Sequence, residues 1–339
     1  VYTAEAVWFD APHSVDLRSE VVPLPEPHEI RVIALASAIS HGTEMLVYRG
    51  QIPAGTTLDL PTLAGDYSFP IKYGYACVGR VELVGSAVTE LQAGDLVFCL
   101  HPHQSVFVIA ASLAWRLDNG LDPLLGVFCA NVETAVGITH DAGLRLGETV
   151  LVSGQGVVGL ITTQLLRMAG AGQIIAVEPN AQRAALAHYY GADLVLAPGP
   201  QLVAEVLVAT AGRGVDVAVE VSGAPSALQH AIECVALEGS VVAAAWYGTK
   251  PVSLELGGHF HRGRVRLRSS QVGRLTPELG PRWDKARRAE LVQRLLPHLR
   301  LHELISHQLP LGAAAAAYRL VDAGDAVQVV FQYQRQERL

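Results

Sequence analysis

At 339 residues the chain is longer than one ordinary core fills, which makes two domains the default expectation. Half of the residues are hydrophobic and 17% are charged, a balance that excludes a disordered or fibrous chain and suits a well-buried α/β enzyme. A net charge of −7 gives nucleic acid or an anionic membrane no reason to be a partner.

The cysteines, Cys77, Cys99, Cys129 and Cys234, fit neither a disulfide framework nor a C-x-x-C metal knuckle, so reduced, buried thiols are expected. The first ten residues, V-Y-T-A-E-A-V-W-F-D, have no basic or long apolar region, and no long stretch runs free of polar residues. A cytoplasmic protein is the expectation.

Up to about residue 110, short β-type runs alternate with proline and glycine punctuation. Ala4 to Phe9, Ile30 to Leu35, Cys77 to Val84 and Leu96 to Cys99 are separated by P-L-P-E-P at 23–27 and a turn at Gly94-Asp95. This pattern predicts a β-rich domain, a partly open barrel. Two of its loops, Ser40 to Arg49 and His101 to Gln104, are dense in polar functional groups.

From Asn131 the pattern becomes a regular alternation of helix and strand. A helix over 131–142 leads to the apolar strand Val150 to Ser153, which runs into Gly154, Gly156 and Gly159 and then a helix. This is the G-x-G-x-x-G spacing: Gly154 for the tight turn, Gly156 for close approach to a pyrophosphate, Gly159 for helix–strand packing. Gln155, Val157 and Val158 lie in the same turn, where a helix N-terminus offers its N–H groups to an anion. Strand 173–178 ends in Glu178, where an acid can hydrogen-bond a ribose diol. Strands 193–196, 215–221, 240–245 and 265–269 follow, with helices at 180–190, 200–211 and 226–237. Six strands with crossover helices predict a doubly wound parallel sheet. Its carboxyl edge gathers Gly154, Gln155, Glu178, Ser222, Gly223, Tyr247, Gly248, Ser269 and Ser270. Past residue 270 come a charged helix, 283–296, an alanine-rich helix and a last strand, 327–333.

The stretch V-x-P-x-P-x-P-x-E-I-x-V at 21–32, the G-T-E loop, G-Y-A-C-V-G, the G-D-x-V turn and the glycine motif together resemble the medium-chain dehydrogenase/reductase superfamily, the alcohol dehydrogenase and quinone reductase clan. The resemblance covers nearly the whole chain. Within the clan, S-A-I-S-H-G-T-E-M-L-V-Y-R-G-Q, F-C-L-H-P-H-Q and S-G-Q-G-V-V-G look most like the branch of 2-desacetyl-2-hydroxyethyl bacteriochlorophyllide dehydrogenase. It implies a GroES-like β-rich catalytic domain over 1–130 and 271–339, plus a Rossmann dinucleotide-binding domain over 131–270. Homodimerisation is also implied.

Zinc members of the superfamily take their catalytic metal from a Cys in C-G-T-D, a His in G-H-E and a Cys, Asp or Glu ahead of the Rossmann domain. Those positions carry His41, Tyr75 and Ala130 here, and the four-cysteine structural zinc loop is absent. Alanine has no donor atom and a neutral phenol is a poor ligand, so no zinc is expected. Thr43 keeps the family's relay position. His41 is the first candidate proton donor, since imidazole titrates near neutrality, or it only caps the loop. Tyr75 is the next candidate, or an aromatic that fills the space of the metal. Glu44 would orient a neighbour. The H-x-H pair His101 and His103 could join His41 and Glu44 in a rebuilt metal site, or be ordinary loop residues.

Glu178 favours NAD over NADP by accepting from the ribose hydroxyls and repelling a 2′-phosphate, and Arg183 nearby weakens that preference. Alternating arginines at 262, 264, 266 and 268 would share one side of a strand, as a solvated edge, a subunit contact or a dock for a substrate carboxylate. The expected activity is zinc-independent, NAD(P)-dependent hydride transfer to or from a small-molecule secondary alcohol/ketone or activated enone. A metal-dependent alcohol dehydrogenase and a non-catalytic NAD(P)-binding protein are the alternatives.

Overall fold

The computed structural model describes residues 2–58 and 60–333. The chain divides into two units, residues 1–130 with 301–339 and residues 131–300.

In the first unit, β1 (Tyr2–Ala11) and β2 (Ser14–Val22) form an antiparallel pair. β3 (Glu29–Ala38) is the hub: its buried alanines, Ile30 and Val32 let strands pack closely on both of its edges. A one-and-a-half-turn helix, α1 (Thr43–Tyr48), follows where the sequence pattern indicates only a loop. Its apolar residues Met45, Val47 and Tyr48 are buried with Phe9, Ile39, Tyr73, Tyr318 and Phe331. Each such large side chain contributes roughly 1.5–3 kcal/mol on full burial. β4 (Cys77–Val84), β5 (Leu96–Cys99), β6 (Val106–Ala110) and β7 (Ala114–Arg116) come next, then the single turn α2 (Pro123–Gly126).

The second unit opens within α3 (Cys129–Ala142). It continues through β8 (Thr149–Ser153), α4 (Val157–Met168), β9 (Gln173–Val177), α5 (Ala181–Tyr189), β10 (Leu194–Leu196) and α6 (Leu202–Ala209). β11 (Val215–Glu220), α7 (Pro225–Cys234), β12 (Val235–Ala243) and β13 (Arg266–Ser269) complete a parallel sheet in the order β10-β9-β8-β11-β12-β13. The order reverses at β8, the switch point where open α/β sheets bind ligands. α8 (Lys285–Leu295) closes the unit, N-capped by Asp284.

Two expectations need correction here. Residues 271–300, which the sequence pattern assigns to the first domain, group with the second unit. The buried Arg288 of α8 pairs with Glu133 of α3 at 2.5 Å, and Arg300 N donates to Gln164 of α4 at 3.0 Å. The four arginines do not share a strand: Arg262 and Arg264 precede β13, and Arg264 takes φ +52°. Arg264 pairs with Glu238 at 3.0 Å and Arg268 with Glu278 at 3.0 Å, which marks ion pairs within the unit.

The chain then returns to the first unit with β14 (Ile305–Pro310), α9 (Ala314–Ala323) and β15 (Gln328–Gln332). The resulting sheet runs β14-β15-β3-β4-β5-β7, with β6 also on β3. All four cysteines are buried, and none is in a disulfide. Among the described residues no helix is long and apolar enough to cross a membrane.

Candidate active site

In the first unit the polar loops converge on Glu44. Its position in the first turn of α1 points its carboxylate into the core, where it is 0% exposed. A buried carboxylate needs donors. Ser40 N supplies one at 2.9 Å to Oε1, and the Tyr318 hydroxyl another at 2.7 Å to Oε2. His103 Nε2 lies 2.9 Å from Oε2, with its Nδ1 2.7 Å from Ser37 Oγ, which in turn meets the Tyr333 hydroxyl at 2.8 Å. The Glu44 carboxylate thus joins His103, Tyr318 and the Ser40 backbone.

Tyr75, in the segment before β4, is half-buried and donates its hydroxyl to Ser40 Oγ in a short hydrogen bond. Burial pushes the phenol up to about 12, the Glu44 carboxylate adds to the rise, and hydrogen bonds with Ser40 and Thr43 oppose it. Tyr75 is therefore a neutral hydroxyl at ordinary pH. Ser40, Thr43 and Tyr75 form one hydroxyl cluster. His41 lies half-buried in the turn that leads into α1, two residues before Thr43.

His101 and His103 go to different partners. His101 stacks on Phe107 with ring centroids 3.8 Å apart and donates from Nδ1 to the Pro102 carbonyl at 3.0 Å. Burial pulls it down to about 3, so it stays uncharged. Among the described residues, no group of three or more His, Cys, Asp or Glu side chains is placed to hold a metal ion. Tyr75 and Ala130, at two of the three positions where the superfamily places zinc ligands, do not fit that metal.

In the second unit the glycine motif joins β8 to α4. Gly154 takes φ +95°, and a Cβ there would stand 2.7 Å from Ser222 Cα, so only glycine fits. A Cβ on Gly159 would stand 2.0 Å from the Gly154 carbonyl oxygen, which is the close helix approach. A Cβ on Gly156 meets nothing within 4 Å. Gly156 is the N-cap of α4 and no side chain caps that helix, so no capping side chain takes up its first-turn amides, which include those of Val157 and Val158. These features fit a dinucleotide pyrophosphate.

Glu178, one residue past β9, accepts from Gln155 N at 2.8 Å, Asn180 N at 3.0 Å and Arg183 Nη2 at 2.9 Å. Ser222 and Gly223 follow β11, and Ser269, exposed, ends β13. All the predicted nucleotide residues thus lie at the carboxyl edge of the sheet or in the first turn of α5. The sequence reading missed Ser37, Ser40, Tyr318 and Tyr333 in the first unit and Glu220 in the second. An acid two residues before Ser222-Gly223, at the end of an apolar strand, was the visible signal for Glu220.

The family model for zinc-binding dehydrogenases matches residues 157–287. The D-guloside 3-dehydrogenase of Escherichia coli (strain K12) is 29% identical over 286 residues, covering 79% of this chain and 81% of that protein. The L-threonine 3-dehydrogenase of Symbiobacterium thermophilum is 26% identical over 354 residues, covering 91% and 92%. The structure of alcohol dehydrogenase TADH from Thermus sp. ATN1 superposes with a TM-score of 0.78 at 23% identity, covering 97% of this chain and 100% of that one. The chain is thus similar along most of its length to medium-chain dehydrogenases/reductases, and it shares with the solved structures the pairing of a GroES-like β-rich unit with a Rossmann unit. At the ligand positions given above it departs from the zinc-binding members of that superfamily.

Proposed function

We propose that the chain is an NAD(P)-dependent oxidoreductase that moves a hydride between nicotinamide and a secondary alcohol/ketone or activated enone without zinc. The observation that carries this reading is the uncapped N-terminus of α4 at Gly156, open on the side where a pyrophosphate would lie. The relatives' names support a secondary alcohol carbon as the reacting centre. Glu178 supports NAD over NADP, and Arg183, ion-paired to it, tempers that preference. β13 stands at the edge of its sheet, where a second copy can add a strand, which supports a homodimer.

When bound, the coenzyme supplies or accepts the hydride. The chain's own residues handle the proton. In the direction of reduction, hydride addition to a carbonyl carbon leaves an alkoxide, a stronger base than a phenolate. Tyr75 is the donor this reading favours over His41, because its hydroxyl stays protonated and joins those of Ser40 and Thr43, which can return a proton to it. Glu44, held by His103 and Tyr318, keeps Ser40 in place.

NADH and NADPH titrations, oxidation of either by a panel of ketones, quinones and enones, and elemental analysis of chelator-free protein test the reading. Micromolar coenzyme affinity, turnover with a member of the panel and substoichiometric metal are expected. No affinity for either coenzyme overturns it, and a stoichiometric metal overturns the zinc-independent part. Binding without turnover across the panel marks a non-catalytic nucleotide-binding protein.

A further inference from the structure

Glu220 ends β11 with a carboxylate that is 0% exposed, and among the described residues no basic side chain pairs with it. Its charge is met by hydrogen-bond donors instead. Oε1 accepts from Ser222 N at 2.7 Å, Ser222 Oγ at 2.5 Å and Gly223 N at 3.1 Å, and Oε2 accepts from the Tyr247 hydroxyl. Three donors lie in the turn after β11 and the fourth in the segment after β12, so one carboxylate joins two turns of the sheet's carboxyl edge. The first of these turns also touches a third. Ser222 Cα rests so close to Gly154 that a Cβ on that glycine would stand 2.7 Å from it. On its other side, Lys250 Nζ donates to the Gly223 carbonyl at 3.0 Å.

A desolvated charge is a costly way to hold a turn unless the geometry it fixes is needed, since an apolar substitute is often as stable. What this one fixes is the wall beside the first glycine of the nucleotide turn. We infer that Glu220 is a positioning residue for the coenzyme: it holds the Ser222–Gly223 turn and Tyr247 in the arrangement against which a dinucleotide docks. The inference rests on the NAD(P) reading above.

The test is a fluorescence titration with the tighter-binding of NADH and NADPH on the wild type, Glu220→Gln, Tyr247→Phe and Glu133→Gln, with thermal melts of each. Glutamine keeps one acceptor oxygen for the Ser222 and Gly223 amides but is uncharged, and its NH2 group meets Tyr247 only if the phenol turns from donor to acceptor, so it grips the two turns more weakly. Glu220→Gln is expected to weaken binding by about tenfold or more, and Tyr247→Phe, which removes one donor of four, by about threefold. Glu133→Gln breaks the buried pair with Arg288 and so lowers the melting temperature, but is expected to leave affinity within about twofold. Unchanged affinity in folded Glu220→Gln overturns the inference, as does an equal loss in Glu133→Gln, because general loosening would then account for it. Should Glu220→Gln fail to fold, Tyr247→Phe decides, and wild-type affinity in that variant overturns the inference. A wild type that binds neither coenzyme overturns the NAD(P) reading and this inference together, whereas equal binding by the wild type and both site variants overturns this inference alone.

Discussion

His103 Nε2 lies 2.9 Å from the Glu44 carboxylate, and both side chains are closed off from solvent. The two residues are 59 positions apart, Glu44 in α1 and His103 in the loop between β5 and β6. Each is gripped again on its far side, His103 by Ser37 and Glu44 by the Ser40 amide, and Tyr318 donates to the same Glu44 oxygen that faces His103. A six-residue helix has little stability of its own. α1 is instead pinned to the core by its one acidic side chain, and that pin fixes the turn carrying Ser40, His41 and Thr43.

Removing His103 takes one of three partners from a fully buried carboxylate and leaves a cavity where the imidazole packed. His103→Ala is therefore expected to cost about 3–5 kcal/mol of stability. Tyr318→Phe, which deletes one donor and keeps the ring, costs about 1–3 kcal/mol. Urea unfolding midpoints followed by circular dichroism check both, and a His103→Ala midpoint indistinguishable from the wild type would show that the pair does not anchor α1.

The weakened acidity of the Tyr75 phenol gives the two reaction directions opposite pH behaviour. With the phenol pushed up to about 12, its acid form is present throughout the neutral and mildly alkaline range. Ketone reduction that draws on Tyr75 as acid should stay flat with pH on this account and fall only as pH approaches 12. Alcohol oxidation needs the phenolate and should climb roughly tenfold per pH unit below that value. Tyr75→Phe is expected to lower the reduction rate by about 10²–10⁴ while coenzyme affinity holds. Pre-steady-state rates across pH in both directions check this, and a Tyr75→Phe variant that reduces ketones at the wild-type rate would hand the proton to another group, His41 first.

Much of the second unit was legible because its signals are local. The run Val150 to Ser153 is apolar at every position but the last, the glycines sit at fixed offsets, and Glu178 lies within one βαβ unit of them. The first unit hid its polar centre because nothing in a single sequence marks partners far apart. Glu44 and Tyr318 are separated by 274 residues, Ser37 and His103 by 66. The H-x-H pattern suggested two rings on one face, whereas stacking on Phe107 takes His101 and the Glu44 carboxylate takes His103. Residues 271–300 read as part of the first domain because their rhythm breaks from the βα alternation, and it takes contacts distant in sequence, Arg288–Glu133 and Arg300–Gln164, to reveal where they pack.

Coenzyme choice is expected to turn on Arg183. Glu178 Oε1 already accepts from Asn180 N and from two nitrogens of Arg183, and Oε2 accepts from Gln155 N. With those lone pairs engaged and the charge partly neutralised, Glu178 repels a 2′-phosphate less than a bare acid would. Arg183→Ala removes the cation and exposes the acid. The ratio of NADPH to NADH dissociation constants should rise by about tenfold, an effect of the size of one charge-assisted hydrogen bond. Titrations with both coenzymes at low and high salt measure it, and a ratio within twofold of the wild type would place the ribose elsewhere.

The three glycines of the nucleotide turn separate folding from binding. At Gly159 a methyl group would collide with the Gly154 carbonyl oxygen at 2.0 Å, backbone that cannot yield without moving α4 off the sheet. Gly159→Ala should therefore destabilise the second unit and lose coenzyme as a consequence. At Gly156 the backbone is extended, with φ −74° and ψ −173°, and the space a side chain would enter is open. Gly156→Val is expected to melt with a stability within about 0.5 kcal/mol of the wild type. The same side chain would occupy the volume where the pyrophosphate must approach the α4 amides, so NADH affinity should fall at least about tenfold. Melting curves and NADH titrations on the two variants distinguish the effects. A Gly156→Val protein that binds NADH as the wild type does would mean that the open face of this turn is not where the dinucleotide lies.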